Sequence, residues 1–334
     1  PEASVFCDFY GVRAEGNWQG KNILWRPQSL AAFAEARGAE EGALRRQLAE
    51  QRQRLLEVRE ERIRPGRDDK ILLGWNALQC TAYAHAYAAL GEPAYRRAAQ
   101  RNIDFLLTRF RRNGDGGFYH TYKDGQAQYE AFLDDLAFLI EALLAVHRIT
   151  FDTTYLHLAR EVARQVRDQY YDDDSGLFFY TAATQQDILL RKKELYDSAV
   201  PSGNSTMAHN LLRLAAFFDD GEQRDEALRM LSTLKDSIEK YPSSFGNWAR
   251  AMLHLAEPGH EIAVVGADAE AVAAGVNRYY LPNAILMAAA EGDADYPLLA
   301  GKTGGASSKI YVCRNYACRQ PVNSLEELEK IVTR

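Results

Sequence analysis

The 334-residue chain is 47% hydrophobic with a net charge of −6, enough apolar mass for a large core and for two domains. Its Lys and Arg are scattered along helix-like faces rather than gathered in a stripe, so nucleic acid is excluded as a partner. No apolar run approaches roughly 18 residues and the N-terminus lacks a basic-then-apolar signal pattern, so no membrane contact is expected and a soluble, cytoplasmic protein is.

The chain opens at Pro1 without a methionine, as the later portion of a longer protein would. Its four cysteines make no disulfide scaffold. Cys80 lies in an apolar helical run as a small core residue. Cys313 and Cys318, five apart, match neither the Cys-x-x-Cys redox spacing nor half of a zinc site.

In chain order, residues 1 to 27 read as irregular and aromatic, with turns around Trp18. Ser29 to Arg62 reads as one long helical stretch of mixed charge. A repeat follows: Tyr95 and Tyr155, Gly116 and Gly176, and Phe118 and Phe178 are each 60 residues apart, the mark of a repeated supersecondary unit. Each unit is a helical hairpin. The first helices, Ala77–Leu90, Leu136–Ile149 and Thr206–Phe218, are apolar nearly all round and must be surrounded. The second helices are amphipathic, as with Leu158, Val162, Val166 and Tyr170, and have a wet side. An inner layer wrapped by an outer layer satisfies both. Connections from inner to outer helix take a few residues, whereas those from outer to next inner helix are long, so long loops and inner-helix N-termini share one rim.

After Pro258 the texture changes to a small α/β pattern: EIAVVG (Glu261–Gly266), a helix near Glu270, AILMAAA, KIYVC and a final SLEELEKIV helix. The expected organisation is a helical-hairpin region over 1–258 and an α/β appendage over 259–334. Gly266 and Gly301-Lys302-Thr303 lack the glycines of a dinucleotide or phosphate loop, so no cofactor is expected.

Three polar clusters precede the inner helices: RPGRDDKILLGWN with Asp69, Trp75 and Asn76; EAFLDD with Asp134 and Asp135; and RKKELYDSAVPSGNS with Arg191, Asp197, Ser202 and Asn204. Asn204 or Ser205 is suited to cap the third inner helix. Brought to one mouth, carboxylates, amides and aromatics are what a sugar requires: rings to stack on, groups for hydroxyls, and a carboxylate pair for acid/base work at an acetal. Asp69, Asp134 and Asp135 are the catalytic candidates. Trp75 is the stacking platform, and Asn76, Arg191, Asp197, Ser202 and Asn204 are the candidate hydroxyl-binding groups. No metal ligand set is evident. Among the helical histidines, His209 is best placed to act as the proton-transfer base of an epimerase.

These clusters, with GNWQGKNIL, YPLLAGKT and YVCRNYACRQPV, resemble the thioredoxin-domain-containing, spermatogenesis-associated family. The resemblance implies a six-hairpin, glycosidase-like α/α toroid, similar to glucosamine epimerases, here without the thioredoxin-like domain and with about eight of the twelve helices of a closed ring. A missing N-terminal region or a partner chain is expected to complete it. Gly74 departs from the family pattern, where a small hydroxyl residue is expected before Trp-Asn. The functions to weigh are a carbohydrate-active protein with a rim site, hydrolase or epimerase, and a non-catalytic toroid that binds a protein partner and serves a thioredoxin-like module. Fold analogy alone does not choose between them.

Overall fold

The structure is a computed structural model that describes residues 2–114, 116–186 and 188–332; Asp115 of the GDGGFYHTY segment lies outside these. It divides into two compact units, Pro1–Asp68 and Asp69–Arg334.

The first unit holds α1 (Glu2–Phe9), α2 (Leu30–Arg37) and α3 (Glu41–Glu60) around Phe6, Phe9, Phe33, Leu44 and Leu48. The stretch expected to be irregular thus opens on a helix, and the stretch expected as one helix is two. Gly38 divides it: its φ of +60° ends α2 in a left-handed cap, a conformation that costs glycine nothing. Glu40 then restarts the helix, its carboxylate accepting the N–H groups of Gly42 and Ala43 at 2.6 Å, where the helix dipole favours an anion.

The second unit is mainly helical and carries the repeat. After β1 (Ile71–Leu72) come α4 (Leu73–Leu90) and α5 (Pro93–Arg109), a hairpin of β2 (Tyr119–Lys123) and β3 (Gln126–Glu130), and then α6 (Leu133–Thr150) and α7 (Thr154–Tyr170). A small ladder of β4 (Tyr171–Asp172) and β5 (Leu177–Phe178) leads by a long loop to α8 (Gly203–Phe218) and α9 (Gly221–Lys240). As expected from the patterning, α4, α6 and α8 pack side by side as an inner layer, with α5, α7 and α9 against them outside. Both α6 and α8 are buried on nearly every face, while α7 buries one stripe, Leu156, Ala159, Val162, Ala163, Val166 and Tyr170.

The 60-residue period is visible in the backbone. Arg111 bridges Phe118 just as Tyr171 bridges Phe178, and Gly116 and Gly176 sit at φ +71° and +70° inside the two turns. All three inner helices begin a few residues before the positions read from the sequence, so Asp134, Asp135, Asn204 and Ser205 lie within first turns. The residue that caps α8 is Ser202, its hydroxyl accepting from Ser205 N–H at 3.1 Å, rather than Asn204 or Ser205.

A fourth helix joins the inner layer, α10 (Gly246–Ala256), packed on α8 and α9. Its Trp248 is fully buried, with the indole N–H donating to Leu195 O at 2.8 Å. Short length and polar flanks hide it in the sequence.

The tail forms β6 (Glu261–Val265), α11 (Ala269–Val276), β7 (Ile285–Ala289), β8 (Lys309–Arg314), β9 (Ala317–Cys318) and α12 (Leu325–Val332), with strand order β7-β6-β8-β9. β6 runs parallel to β7 and antiparallel to β8. Ala263, Val265, Ile285, Met287 and Cys313 face the core of the helical hairpins, whereas Ile262, Val264, Leu286, Ile310 and Val312 pack with α11, α12 and Phe151. A sheet covered on both sides needs apolar residues at every position, which is why EIAVV lacks alternation. Among the described residues, no helix is long and apolar enough to cross a membrane.

Candidate functional site

The first turn of α6 joins the inner helices at one rim. Asp135 reaches sideways to α4, its Oδ1 accepting the Gly74 N–H at 2.9 Å, while Oδ2 accepts the Phe132 N–H at 2.9 Å. Asp134 reaches the other way, its Oδ1 accepting the Gly203 N–H of α8 at 2.7 Å. Free N–H groups at a helix start carry partial positive charge, so each carboxylate satisfies the start of a neighbouring helix. Both contacts are made at glycines, and the one at Gly203 leaves no room for a side chain. A Cβ on Gly74 would lie 2.9 Å from the Asp135 carboxylate, and one on Gly203 would lie 2.4 Å from that of Asp134.

His120, on β2, completes the cluster. An Asp-Gly turn with φ of +50° and +81° at Asp124 and Gly125 folds β2 onto β3 and carries the imidazole to α6, where Nδ1–H donates to Asp135 Oδ2 at 2.7 Å. The ring meets Phe132 edge-on at 4.8 Å, and Phe132 in turn stacks on Tyr180 at 4.8 Å. The bond to Asp135 holds the imidazole pKa above its usual value, against burial and the nearby Lys70 charge. It also fixes the tautomer, leaving Nε2 as the atom able to move a proton.

Asp134 differs from its neighbour. Burial pushes its pKa up to about 6, with the Asp135 and Glu194 charges adding to the rise and the Gly203 N–H opposing it. Two adjacent carboxyls thus sit in unlike settings, one tied to an imidazole and two backbone donors, the other able to keep a proton in mildly acidic solution, up to about pH 6. Environments that separate the roles of paired carboxyls mark acid/base sites.

The other residues singled out in the sequence fall into two groups. Trp75, in the first turn of α4 beside Gly74, is 67% exposed, its ring available for stacking. Asp69 is half exposed and ion-paired with Lys123 at 2.6 Å on the flank of β1 and β2. The rest are occupied with the protein. Asn76 donates to Leu72 O at 2.9 Å. The Arg191 guanidinium donates to Thr181 O and Gln169 O at 2.6 and 2.9 Å and lies 4.1 Å over the Phe179 ring. Asp197 binds Ser202 N–H, the Ser205 hydroxyl and, through Oδ2, the Asn247 N–H of α10 at 2.7 Å. Asn204 is fully buried, accepting from Phe178 N–H and donating to Phe178 O and Glu194 O. Asp197, Ser202 and Asn204 fasten the long loop to α8 and α10, and Arg191 ties the same loop back to the end of α7. His209 is also committed: it is buried and its Nε2–H donates to Asn247 O at 2.9 Å.

His120 is the site residue that sequence reasoning passed over. The available signal was the Asp-Gly dipeptide between YHTYK and QAQYE, which predicts a two-residue hairpin and so returns His120 toward Asp135.

Comparison with known proteins yields one family match: Glycosyl Hydrolase Family 88 matches residues 72–294, which contain every residue of the rim described above except Asp69 and Lys70. The chain is 28% identical to Spermatogenesis-associated protein 20 of Homo sapiens over 95% of this chain and 43% of that protein. It is 25% identical to an uncharacterized protein of Caenorhabditis elegans over 98% of this chain and 48% of that protein. The chain therefore spans less than half the length of these relatives. Among solved structures, the cellobiose 2-epimerase of Spirochaeta thermophila is 18% identical with a TM-score of 0.42, covering 50% of this chain and 43% of that chain. A family 105 glycoside hydrolase of C. acetobutylicum is 14% identical with a TM-score of 0.41, covering 62% and 61%.

Proposed function

The chain belongs to Glycosyl Hydrolase Family 88, and from that premise we propose that the rim at the N-termini of α4, α6 and α8 is a carbohydrate-processing site with Asp134 as its general acid. The reading rests on one observation above others: Asp134, with its pKa raised to about 6, stands one residue from the carboxylate that orients His120. Asp134 keeps a proton to give to a leaving or ring oxygen. His120, its Nδ1–H held by Asp135, takes a proton at Nε2, from water in a hydrolysis or from carbon in an epimerisation. Asp135 touches neither reacting atom and acts as the positioning residue. Trp75 offers its exposed face to a sugar ring.

The test is turnover and calorimetric binding on a panel of mono- and oligosaccharides. Asp134→Asn can still accept from Gly203 N–H, so it should fold, bind sugar and lose roughly 10²- to 10⁴-fold in kcat/KM. Trp75→Ala should instead raise KM. For the wild type, kcat/KM should peak between the pKa of Asp134, about 6, and the raised pKa of His120 and fall above that peak, and the falling limb should vanish in Asp134→Asn, which has no donor proton to lose. Binding of no sugar at all would overturn the proposal and favour a scaffold that binds a protein partner.

A further inference from the structure

Cys313 and Cys318, which the sequence leaves without a role, are joined by a disulfide and stand directly opposite each other across β8 and β9. Cys313 is buried and Cys318 is exposed, so one end of the bond is open to attack from solvent. Each cysteine is followed by a cation, Arg314 and Arg319. Both act on His260, whose pKa is lowered by burial and then by these two charges. The nearby carboxylate, Glu261, pairs across from Cys313 and is engaged by the Tyr316 N–H at 2.7 Å.

The residues between the cysteines form a tight turn in which Asn315 and Tyr316 both take left-handed φ values of +50° and +58°. Such a turn suits Asn followed by glycine; a tyrosine at the second position resists it, so other forces must hold it closed. The disulfide is one. The other is Tyr316 itself, whose hydroxyl donates to Ala216 O of α8 at 2.8 Å. There Tyr316 forms part of the wall of a cavity of about 190 Å³, together with Asp219, Arg224, His254 and His260, between the α8–α9 turn, α10 and β6.

We propose that the Cys313–Cys318 bond is a thiol–disulfide exchange site for a dithiol reductant, and that opening it releases Tyr316 from the cavity wall. A thiolate of the dithiol attacks Cys318 Sγ, forming a mixed disulfide and expelling the Cys313 thiolate, which gains a proton. The second thiol of the reductant then attacks its own sulfur in the mixed disulfide and frees Cys318. Two electrons and two protons pass to the cysteine pair, and the reductant leaves as a disulfide. With the clamp gone, the left-handed Tyr316 keeps only the two-residue ladder of β9 and its bonds to Ala216 O and Glu261 to hold the turn against its strain.

The proposal stands apart from the carbohydrate reading and is tested without it. Folded protein is titrated with dithiothreitol, alkylated and mapped by mass spectrometry, with hydrogen exchange followed in parallel. The expected result is joint labelling of Cys313 and Cys318 while circular dichroism is unchanged and buried Cys80 stays unlabelled, with faster exchange over residues 314–317 and 216–221. The double variant Cys313→Ser, Cys318→Ser should show the same faster exchange without reductant. Labelling only on global unfolding, labelling before any reductant is added, or unchanged exchange in the double variant would each overturn it.

Discussion

The first turns of α6 and α8 are built from the same materials and end in different states. Each places polar side chains at the start of an inner helix and uses a glycine to bring a neighbour close. At α8 the amide and carboxylate are answered: Asn204 commits its amide to Phe178 and Glu194, and Asp197 is shared among Ser202, Ser205 and Asn247. At α6 the set stays incomplete, because Asp134 is desolvated with one backbone donor on its Oδ1 and His120 has one nitrogen left over. Polar density in the sequence is similar in both; what separates a fastening from a reactive site is whether the hydrogen-bonding capacity is already satisfied.

Substitutions at these helix starts should break this contrast in order of size. Asp135→Ala would leave Gly74 N–H, Phe132 N–H and His120 without their acceptor, and about 4 kcal/mol of stability should be lost in urea denaturation. Asn204→Asp should cost about 3 kcal/mol, since a buried carboxylate cannot donate to Phe178 O and Glu194 O; the converse swap, Asp134→Asn, should leave the denaturation midpoint nearly unmoved below about pH 4, where Asp134 is protonated in both states. An Asn204→Asp protein as stable as the wild type would show that the start of α8 is not a closed network.

Gly203→Ala sets a Cβ against the Asp134 carboxylate and should cost about 2 kcal/mol through displacement of α8, together with a shift in the pH above which any measured rate declines. The last effect is a pH slope. Asp134 is raised from 3.8 to about 6, so the native state keeps a proton that the unfolded chain has released. Its contribution is fully present below about pH 3.8 and is lost as pH rises through about 6. Stability measured from about pH 4 to 6 should therefore decline more steeply in the wild type than in Asp134→Asn.

The inner and outer helices, the rim and the C-terminal strands were legible because burial writes itself as periodicity. The 60-residue repeat extended this to the individual turns at Gly116 and Gly176. What the sequence hid is set by tertiary detail. Gly38 splits a run of helix formers by its φ alone, and α10 is too short for its stripe to stand out against Asn247 and Arg250. Within the candidate site, Asp134, Asp135 and Trp75 stand out in the sequence because they sit at helix starts, where polar residues are conspicuous. Asn204 was conspicuous for the same reason and Arg191 for the charge of its loop, but nothing in their identity reveals that backbone carbonyls absorb their donors. His120 depended on a hairpin folding back onto α6, a long-range contact that no local pattern encodes.

The two-sided burial of β6 and β7 limits how this polypeptide can be cut for expression. A clone ending near Pro258 would keep all four inner helices yet strip the lid from the hydrophobic surface that Val265, Ile285 and Met287 now seal, and would uncover Phe151 as well. Such a truncation should precipitate rather than yield a well-folded helical core, so trimming the tail is the wrong route to a minimal fragment.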